Sequence, residues 1–404
     1  MEGGNIMTVS FYELISPVHD KNSIDKSLFE FQKNVEKFLD DKIAAVPLEE
    51  AKKLPVTLLF IKSGGVESEF LKIYKELKPP YILLTSEAHN SLPAAMEILS
   101  FIKQKGENGE ILHGPAEYIA SRLGFIKKII NAKHKINGAR LGIIGKPSDW
   151  LIGSSIDYKK VKKTFGIELV NIEMAEVLNE IKNHGEIKNS QIEKYLAKGA
   201  SEKESKNSMI IYDSLKNICA KYKLSGFTLR CFDLLTSIKS TGCLALSMLN
   251  DEGITAGCEG DIPALLSMFV LRALTELPSF MANPSVIDPQ NNTAIFAHCT
   301  VPTSITEEYI LDTHFESGIG VGVKGRFVPG ECTIFKISPT LDKYFLSPAH
   351  ILRSLNRENL CRTQIEVSVE TGVEYFLNNP YGNHHIILNS NQVELIKEFF
   401  KIIF

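Results

Sequence analysis

The segment Cys258-Glu259-Gly260-Asp261 places two carboxylates two residues apart, between two apolar runs of the sequence. One run spans Gly242 to Asn250, and the other begins at Pro263. Because an ionised carboxylate is costly to bury unless a cation, a metal or hydrogen bonds compensate it, this polar island predicts a functional site. For Asp261 a structural alternative stays open, since an Asp just before a proline-bearing apolar run is also typical of a helix N-cap.

Imidazole groups that could complete a metal site are concentrated in the last third of the chain. They include His298 on a predicted strand, His314 before a glycine-rich run, and the adjacent pair His384 and His385. Since no HExxH or similar spacing joins them, a site would have to combine carboxylates of the 258–261 turn with imidazoles from this later region. Such a donor set suits Mn²⁺ or Mg²⁺ better than a thiolate-rich zinc site.

Any single strand histidine has a structural alternative, which is a hydrogen-bonded residue of the core. The pair His384 and His385 is harder to explain in this way. Adjacent residues on a strand point to opposite faces, so we expect at most one of the two to face a given pocket.

The composition is typical of a globular protein, with 44% apolar and 23% charged residues. The formal net charge of −3 and the lack of long like-charge blocks argue against nucleic acid or an anionic membrane as a partner. No apolar run reaches the ~18 residues of a spanning helix, and the first residues lack the basic and apolar regions of a secretory signal. The 7 cysteines include no CxxC pair. They are typical of reduced thiols, so we expect a cytoplasmic protein.

The order of strand and helix patterns predicts an α/β protein of three domains. In residues 1–137 and again in residues 138–280, apolar strands alternate with amphipathic helices, which predicts two doubly wound domains with parallel sheets. In residues 281–404, short β-rich runs predict a C-terminal antiparallel β domain with a terminal helix, in the form of a small barrel or a sandwich. These runs lie at 293–301, 319–328, 332–337 and 364–369.

In the first domain, residues 7–11 are predicted as a strand and residues 24–44 as a helix. The loops 63–65 and 86–91 follow predicted parallel strands, and ligands of such sheets lie beyond the carboxyl ends of the strands. The sequence contains no GxGxxG and no Walker motif, so we expect no nucleotide-binding domain. In the second domain, the apolar segment from residue 226 to residue 270 is predicted to complete the sheet.

Three segments carry a resemblance to a known family: Thr241 to Leu249, Gly253 to Asp261, and Gly382-Asn-His-His385. On these residues the chain resembles the L-fucose/L-arabinose isomerase family, and most of all its fucose-isomerase-like members. The match at 241–261 is the more specific part, whereas the N-terminal third matches only in architecture.

The resemblance implies an aldose–ketose interconversion of a monosaccharide through an enediol. In that chemistry a Mn²⁺ ion polarises the substrate oxygens and two carboxylates move protons. Glu259 matches a family glutamate that is both metal ligand and acid/base. His384 matches a late histidine ligand, and His298 lies where the arabinose branch has a further metal histidine.

The second family carboxylate is replaced in this chain, where Ala282 and Asn283 stand in its place. The amide oxygen of Asn283 could coordinate a metal, but it cannot take a proton at neutral pH. Glu316, Asp261 or Asp288 could supply the missing acid instead. The alternatives are a sugar-binding relative that has lost turnover, or an epimerase or lyase on the same scaffold.

The resemblance also implies a homotrimer or homohexamer, in which the N-terminal domain of a neighbouring subunit completes each pocket. His89 and Asn90, in the polar loop 87–91, are then candidate substrate contacts, together with His314 and His385. The alternative for this loop is a solvated turn at the start of a helix.

Overall fold

The computed structural model describes residues 9–54 and 56–403, and the chain divides into two compact units. Unit 1 is Met1–His134 and unit 2 is Lys135–Phe404. The predicted strand at 7–11 begins outside the described residues, and its described part belongs to a strand from Val9 to Leu14. The three domains proposed from the sequence, with a boundary near residue 280, stay a prediction.

Unit 1 contains a five-stranded parallel sheet. Its strands are β1 (Val9–Leu14), β2 (Ile43–Ala45), β3 (Thr57–Ile61), β4 (Tyr81–Leu84) and β5 (Gly109–Leu112), in the order β2-β1-β3-β4-β5. Its helices are α1 (Lys21–Leu39), α2 (Leu48–Ala51), α3 (Glu67–Ile73), α4 (Ser91–Gln104) and α5 (Ala116–Ile136). Every residue of β3 and β4 is buried, which explains why both strands are continuous apolar runs in the sequence.

Unit 2 begins with a four-stranded parallel sheet. Its strands are β6 (Arg140–Ile144), β7 (Glu168–Ile172), β8 (Gly226–Leu229) and β9 (Thr255–Cys258), in the order β7-β6-β8-β9. The helices of this part are α6 (Tyr158–Phe165), α7 (Met174–Lys182), α8 (Glu193–Leu196), α9 (Glu202–Tyr222), α10 (Phe232–Ile238), α11 (Cys243–Asp251) and α12 (Ile262–Thr275).

The rest of unit 2 is built around a closed antiparallel barrel of six strands. The strands after α12 are β10 (Phe280–Asp288), β11 (Thr293–His298), β12 (Glu308–Asp312), β13 (Gly322–Arg326), β14 (Gly330–Ile337), β15 (Tyr344–Ser354), β16 (Thr363–Val369) and β17 (His385–Leu388). The barrel order is β10-β11-β16-β15-β14-β17, and β12 pairs only with β13. The short helix α13 (Glu374–Asn378) precedes β17, and α14 (Val393–Ile403) follows it.

The predicted mixed α/β class with parallel sheets and a C-terminal antiparallel β structure is confirmed. One part of the prediction is wrong, because the apolar run from Gly242 forms the helix α11 and does not continue the sheet. Almost all of α11 is buried, so its sequence has no polar face that would reveal a helical period. Among the described residues, no helix is both long enough and apolar enough to cross a membrane.

The turn after β9 is shaped by two consecutive residues with a left-handed backbone. Glu259 has a φ of 59° and Gly260 a φ of 74°. A Cβ atom on Gly260 would lie 2.6 Å from the Cα of Pro147, in the loop that follows β6. Glycine is therefore required at 260 both by the backbone angle and by the close approach of the neighbouring loop.

We expect Gly260→Ala to lower the free energy of unfolding by about 2 kcal/mol or more, because the left-handed backbone alone costs an alanine about 1–2 kcal/mol. Gly330→Ala is the matched control, since its Cβ would meet nothing within 4 Å. This control should change stability by less than about 0.5 kcal/mol. Urea denaturation of both variants measures the difference, and equal stabilities would contradict the tight packing of this turn.

Candidate functional site

Glu259, His298 and His384 present their ligand atoms to one point in unit 2. These atoms lie within 4.8 Å of one another. Glu259 Oε1 is 3.5 Å from His384 Nε2 and 3.9 Å from His298 Nε2. Glu259 follows β9, His298 ends β11 and His384 directly precedes β17, so the triad lies where the parallel sheet meets one end of the barrel.

A buried ring nitrogen of His384 shows that the triad suits a cation. Within the described ranges, His384 Nε2, which faces Glu259 Oε1, has no hydrogen-bond partner. His298 Nδ1 also has none, but the Nε2 atom of that ring lies nearest to Glu259. An unsatisfied buried polar atom costs about 1–3 kcal/mol, which coordination to a metal would offset. One carboxylate and two imidazoles are donors that Mn²⁺, Fe²⁺ and Zn²⁺ accept, so the residues present fit a divalent metal without selecting its identity.

The charges of the triad also favour a cation. Burial would raise the pKa of Glu259, but the nearby imidazole of His384, the His298 ring and the Trp150 indole N–H lower it to about 2. Burial next to His384 lowers the pKa of His298 to about 3, so this imidazole is neutral and its lone pair is free to bind. Burial would lower the pKa of His384, but Asp261 and Glu259 raise it to about 9. The two carboxylates that hold a proton on His384 would equally attract a metal ion.

Asp261 is fully buried and contacts the triad on the Nδ1 side of His384. Its Oδ1 accepts a hydrogen bond of 2.8 Å from Ala264 N, which confirms the helix N-cap alternative. Its Oδ2 lies 3.0 Å from His384 Nδ1, and the buried Lys336 Nζ lies 3.4 Å from both oxygens. The bond to Nδ1 turns Nε2 of His384 towards Glu259, as outer carboxylates do for metal-binding histidines.

Glu316 and His314 lie on the segment between β12 and β13. His314 is buried beside Ser317, with 3.0 Å between Nδ1 and Oγ, whereas Glu316 is exposed. Partial desolvation of its carboxyl group and the charge of Glu259 raise the pKa of Glu316. Burial and the charge of Arg362 lower the pKa of His314. The charge of Glu259 acts in the opposite direction, but the net shift is downward.

The segment that carries Glu316 is held in place from both ends. Arg362 Nε donates to Thr313 O at 2.6 Å, and its Nη2 donates to Thr313 Oγ1 at 2.9 Å. At the other end, the Thr241 hydroxyl accepts a hydrogen bond from Val321 N and donates one to Val321 O. Gly320, with a φ of 65°, allows this approach, because a Cβ there would lie 2.6 Å from Thr241 Cγ2.

Asn283 lies on β10 opposite Ala297, next to the triad residue His298 on β11. Its side-chain oxygen accepts a hydrogen bond of 3.0 Å from Asn383 Nδ2. Asp288 lies five residues further along the same strand, about 16 Å away at the rise of a β-strand. The Asp288 carboxylate accepts hydrogen bonds from Gln290 and Asn291 in its own turn.

His385 points away from the triad into an aromatic cluster in the barrel, contrary to its prediction as a substrate contact. It is fully buried, and both ring nitrogens have partners, namely Asn383 O at 3.1 Å and Tyr375 Oη at 3.0 Å. Burial lowers its pKa to about 3. Since adjacent residues point to opposite faces, His384 enters the site and His385 is a core residue.

His89 and Asn90 belong to unit 1, at the start of α4. Both have a left-handed backbone, with φ of 55° and 54°, and His89 Nε2 lies 2.6 Å from Ser27 Oγ. Their predicted contact with the pocket of a neighbouring subunit stays a prediction.

Two residues of the site were missed in the analysis of the sequence. Trp150, in the loop after β6, donates its indole N–H to Glu259 Oε2 at 2.7 Å. Lys336 forms the buried ion pair with Asp261 from the C-terminal end of β14, next to its last residue, Ile337. A lysine inside the apolar run 333–337 is a usable signal for a buried charge. Trp150 gives a weaker signal, because the sequence shows only that it is the single tryptophan and that it follows a predicted parallel strand.

Comparison with known proteins points to sugar isomerases. No family model matches the chain. It is 27% identical over 248 residues to the sulfoquinovose isomerase of Clostridium sp. (strain MSTE9), a match that covers 58% of this chain and 55% of that protein. It is 21% identical over 239 residues to the sulfoquinovose isomerase of Alkalicoccus urumqiensis, covering 56% and 54%.

A third sulfoquinovose isomerase, from Priestia megaterium (strain ATCC 12872 / QMB1551), is 24% identical over 224 residues, covering 52% and 50%. The chain thus spans about half the length of the relatives that it matches. The relatives are named as isomerases of a sugar, whereas the resemblance to the L-fucose/L-arabinose family stays a prediction.

We expect Asp261→Asn to lower the free energy of unfolding by about 3–5 kcal/mol, because it leaves the ammonium of Lys336 buried without its partner. The double variant Asp261→Asn/Lys336→Met removes both charges of this pair and should be more stable than Asp261→Asn alone. Denaturant unfolding curves at pH 7 measure both values. A double variant that is no more stable than the single one would show that the ion pair does not set the stability of this region.

Proposed function

We propose that this chain is a metal-dependent isomerase that interconverts an aldose and a ketose through an enediol. The observation that carries the proposal is the triad of Glu259, His298 and His384, with the unpaired Nε2 of His384 beside a buried carboxylate. The sulfoquinovose isomerases among the relatives support the choice of reaction. Sulfoquinovose is therefore the first sugar to test as a substrate.

In this proposal the triad is the set of metal ligands, through Glu259 Oε1 and one ring nitrogen each of His298 and His384. A divalent cation such as Mn²⁺ would act there as a Lewis acid on the carbonyl and hydroxyl oxygens of the sugar. Asp261 orients the His384 ring from behind and is itself enclosed by Lys336 and the start of α12. Asp261 is thus a positioning residue and has no access to a substrate proton.

Glu316 is the residue that we propose as the second acid/base. It is exposed, and partial desolvation together with the charge of Glu259 raises its pKa above the ordinary value of a carboxyl group, which favours proton uptake. Asp288 is too distant and Asp261 is enclosed. The amide of Asn283 is bonded to Asn383, and it cannot carry a proton.

A sugar-binding protein without turnover is the second candidate. Asn283 favours it, since an amide stands where the resemblance implies a catalytic carboxylate. The two candidates differ in whether protons of the sugar exchange with solvent.

The central experiment incubates the purified protein with Mn²⁺ and sulfoquinovose in D₂O, with D-glucose and L-fucose as comparison sugars. We expect the NMR spectrum to show a ketose with deuterium at C1 and, through the reverse reaction, deuterium at C2 of the aldose. The reason is that the C2 proton of the aldose passes to a group that exchanges with solvent before the enediol is protonated at C1. Binding of the sugar without any exchange would instead establish the second candidate.

We expect the protein to bind one Mn²⁺ per chain in calorimetry, and EDTA to abolish isomerisation. Glu259→Gln should weaken Mn²⁺ binding by at least about tenfold, because the affinity for a hard cation depends on the charge of its ligands. Asp288→Asn is the control, since it also removes a carboxylate of unit 2, and it should leave the affinity unchanged. Equal losses in the two variants would contradict a cation at the triad.

Glu316→Gln should lower kcat by about 10²- to 10⁴-fold, the usual contribution of a general acid/base. Its Mn²⁺ affinity should stay within about threefold of the native value, since Glu316 is not a ligand in this proposal. Asn283→Asp should have little effect on kcat. Activity that appears only in Asn283→Asp would show that the native chain has lost its second acid and that Glu316 does not replace it.

A further inference from the structure

We propose that Trp150 is a positioning residue of this site, which holds Glu259 with its indole N–H and receives the C–H face of the bound sugar on its ring. The inference rests on the proposed function, since it assigns the contact that orients the sugar beside the triad. Three features of the structure carry it: the partners of the two Glu259 oxygens, the anchoring of the loop, and the exposure of the ring.

The two oxygens of the Glu259 carboxylate have different partners. Oε1 faces His384 and His298, whereas Oε2 accepts the Trp150 indole N–H at 2.7 Å. A hydrogen bond to a charged carboxylate is among the stronger ones in proteins. Trp150 therefore fixes the carboxylate with Oε1 towards the triad.

The loop that carries Trp150 is anchored by the three residues before it. Ser148 N donates to Glu259 O at 2.9 Å, so the loop is bonded to the backbone of the same turn. Arg230, just after β8, donates to Pro147 O at 2.8 Å and binds Asp149 Oδ2 at 2.7 Å. These bonds hold the indole in place before any ligand binds, which reduces the entropy lost on binding.

The ring of Trp150 is only partly covered. Its edge-to-face contact with Phe232 has a centroid distance of 4.9 Å, and Phe232 in turn contacts His314 at 5.7 Å. Even so, Trp150 is 51% exposed. A tryptophan needed only to hold Glu259 could be buried. An anchored and exposed indole suits a ligand that is apolar on one face and polar at its rim, as the ring of a sugar is.

Ile152, two residues further along the loop, distinguishes a sugar ligand from a protein partner. It is 91% exposed on the same loop. A protein surface that docks on the loop would cover Trp150 and Ile152 together, whereas a sugar bound at the triad would contact Trp150 alone. Ile152→Ala is therefore the matched control for the Trp150 variants.

The experiment uses Trp150→Phe, Trp150→Leu and Ile152→Ala in the full chain. Phe keeps an aromatic face but cannot donate a hydrogen bond, and Leu provides neither. Both Trp150 variants should raise the Kd for Mn²⁺ by about 10- to 100-fold, the usual effect of losing an outer partner of a metal ligand. With Mn²⁺ saturating, Trp150→Leu should raise the Kd for sulfoquinovose by about tenfold and Trp150→Phe by no more than about threefold. Ile152→Ala should match the native protein in both titrations.

The native protein offers an independent readout. Trp150 is the only tryptophan in the sequence, so the tryptophan emission of the chain comes from this loop. Adding sulfoquinovose to the Mn²⁺-loaded protein should change that emission, with the same midpoint as the calorimetric titration.

The inference is overturned if Trp150→Leu binds sulfoquinovose as tightly as the native chain, or if Trp150→Phe keeps native Mn²⁺ affinity. Failure of sulfoquinovose to bind the native chain overturns it as well. The proposed function can fail separately. If the native protein binds the sugar through Trp150 but catalyses no proton exchange, the role of Trp150 stands and the isomerase activity is rejected. Turnover that is unaffected by all three variants retains the isomerase and rejects the role of Trp150.

Discussion

The Asp261 carboxylate, although fully buried, binds groups from three different parts of unit 2. It accepts the backbone N–H of Ala264 at the start of α12, it bonds to the His384 ring before β17, and it pairs with Lys336 on β14. A buried charge of this kind is stable only while every partner is in place, because each loss leaves an uncompensated group in a medium of low dielectric. The orientation of the triad therefore depends on the correct junction of the parallel sheet and the barrel.

The loops at the carboxyl ends of the parallel strands supply the other groups of the site. The loop after β6 carries Trp150, the residue after β8 is Arg230, and the turn after β9 carries Glu259. Their mutual bonds make one rigid layer, which Gly260 allows by its lack of a side chain. The barrel brings the two imidazoles to this layer, so each half of unit 2 supplies groups that the other lacks.

The sequence predicted those features that local pattern controls. Glu259 and Asp261 could be recognised because charged residues between buried runs need compensation, and the β-rich last third could be recognised from short alternating runs. The helix α11 could not, since its residues are apolar on all sides. The strands β10 and β15 carry Pro284 and Pro348, which are unfavourable in strand patterns, and neither was predicted from the sequence.

The contacts between the site residues could not be predicted from the sequence, for a different reason. Lys336 is 75 residues from Asp261, and Trp150 is 109 residues from Glu259. No period or spacing connects such pairs, because their contact follows from how the strands are ordered in the sheets. The same limit explains why His384 and His385 could be assigned to opposite faces but not to a specific partner.

The closed barrel also has a consequence for the order in which the chain folds. Its last strand, β17, inserts between β10 and β14, and His384 directly precedes it. A growing chain that has not yet reached β17 holds Glu259 and His298 but lacks the third imidazole and leaves two strand edges open. Contacts between residues so distant in sequence form late in folding. Barrel closure and completion of the triad are thus a single event, because His384 reaches Glu259 and His298 at the moment when the protein loses its exposed, aggregation-prone edges.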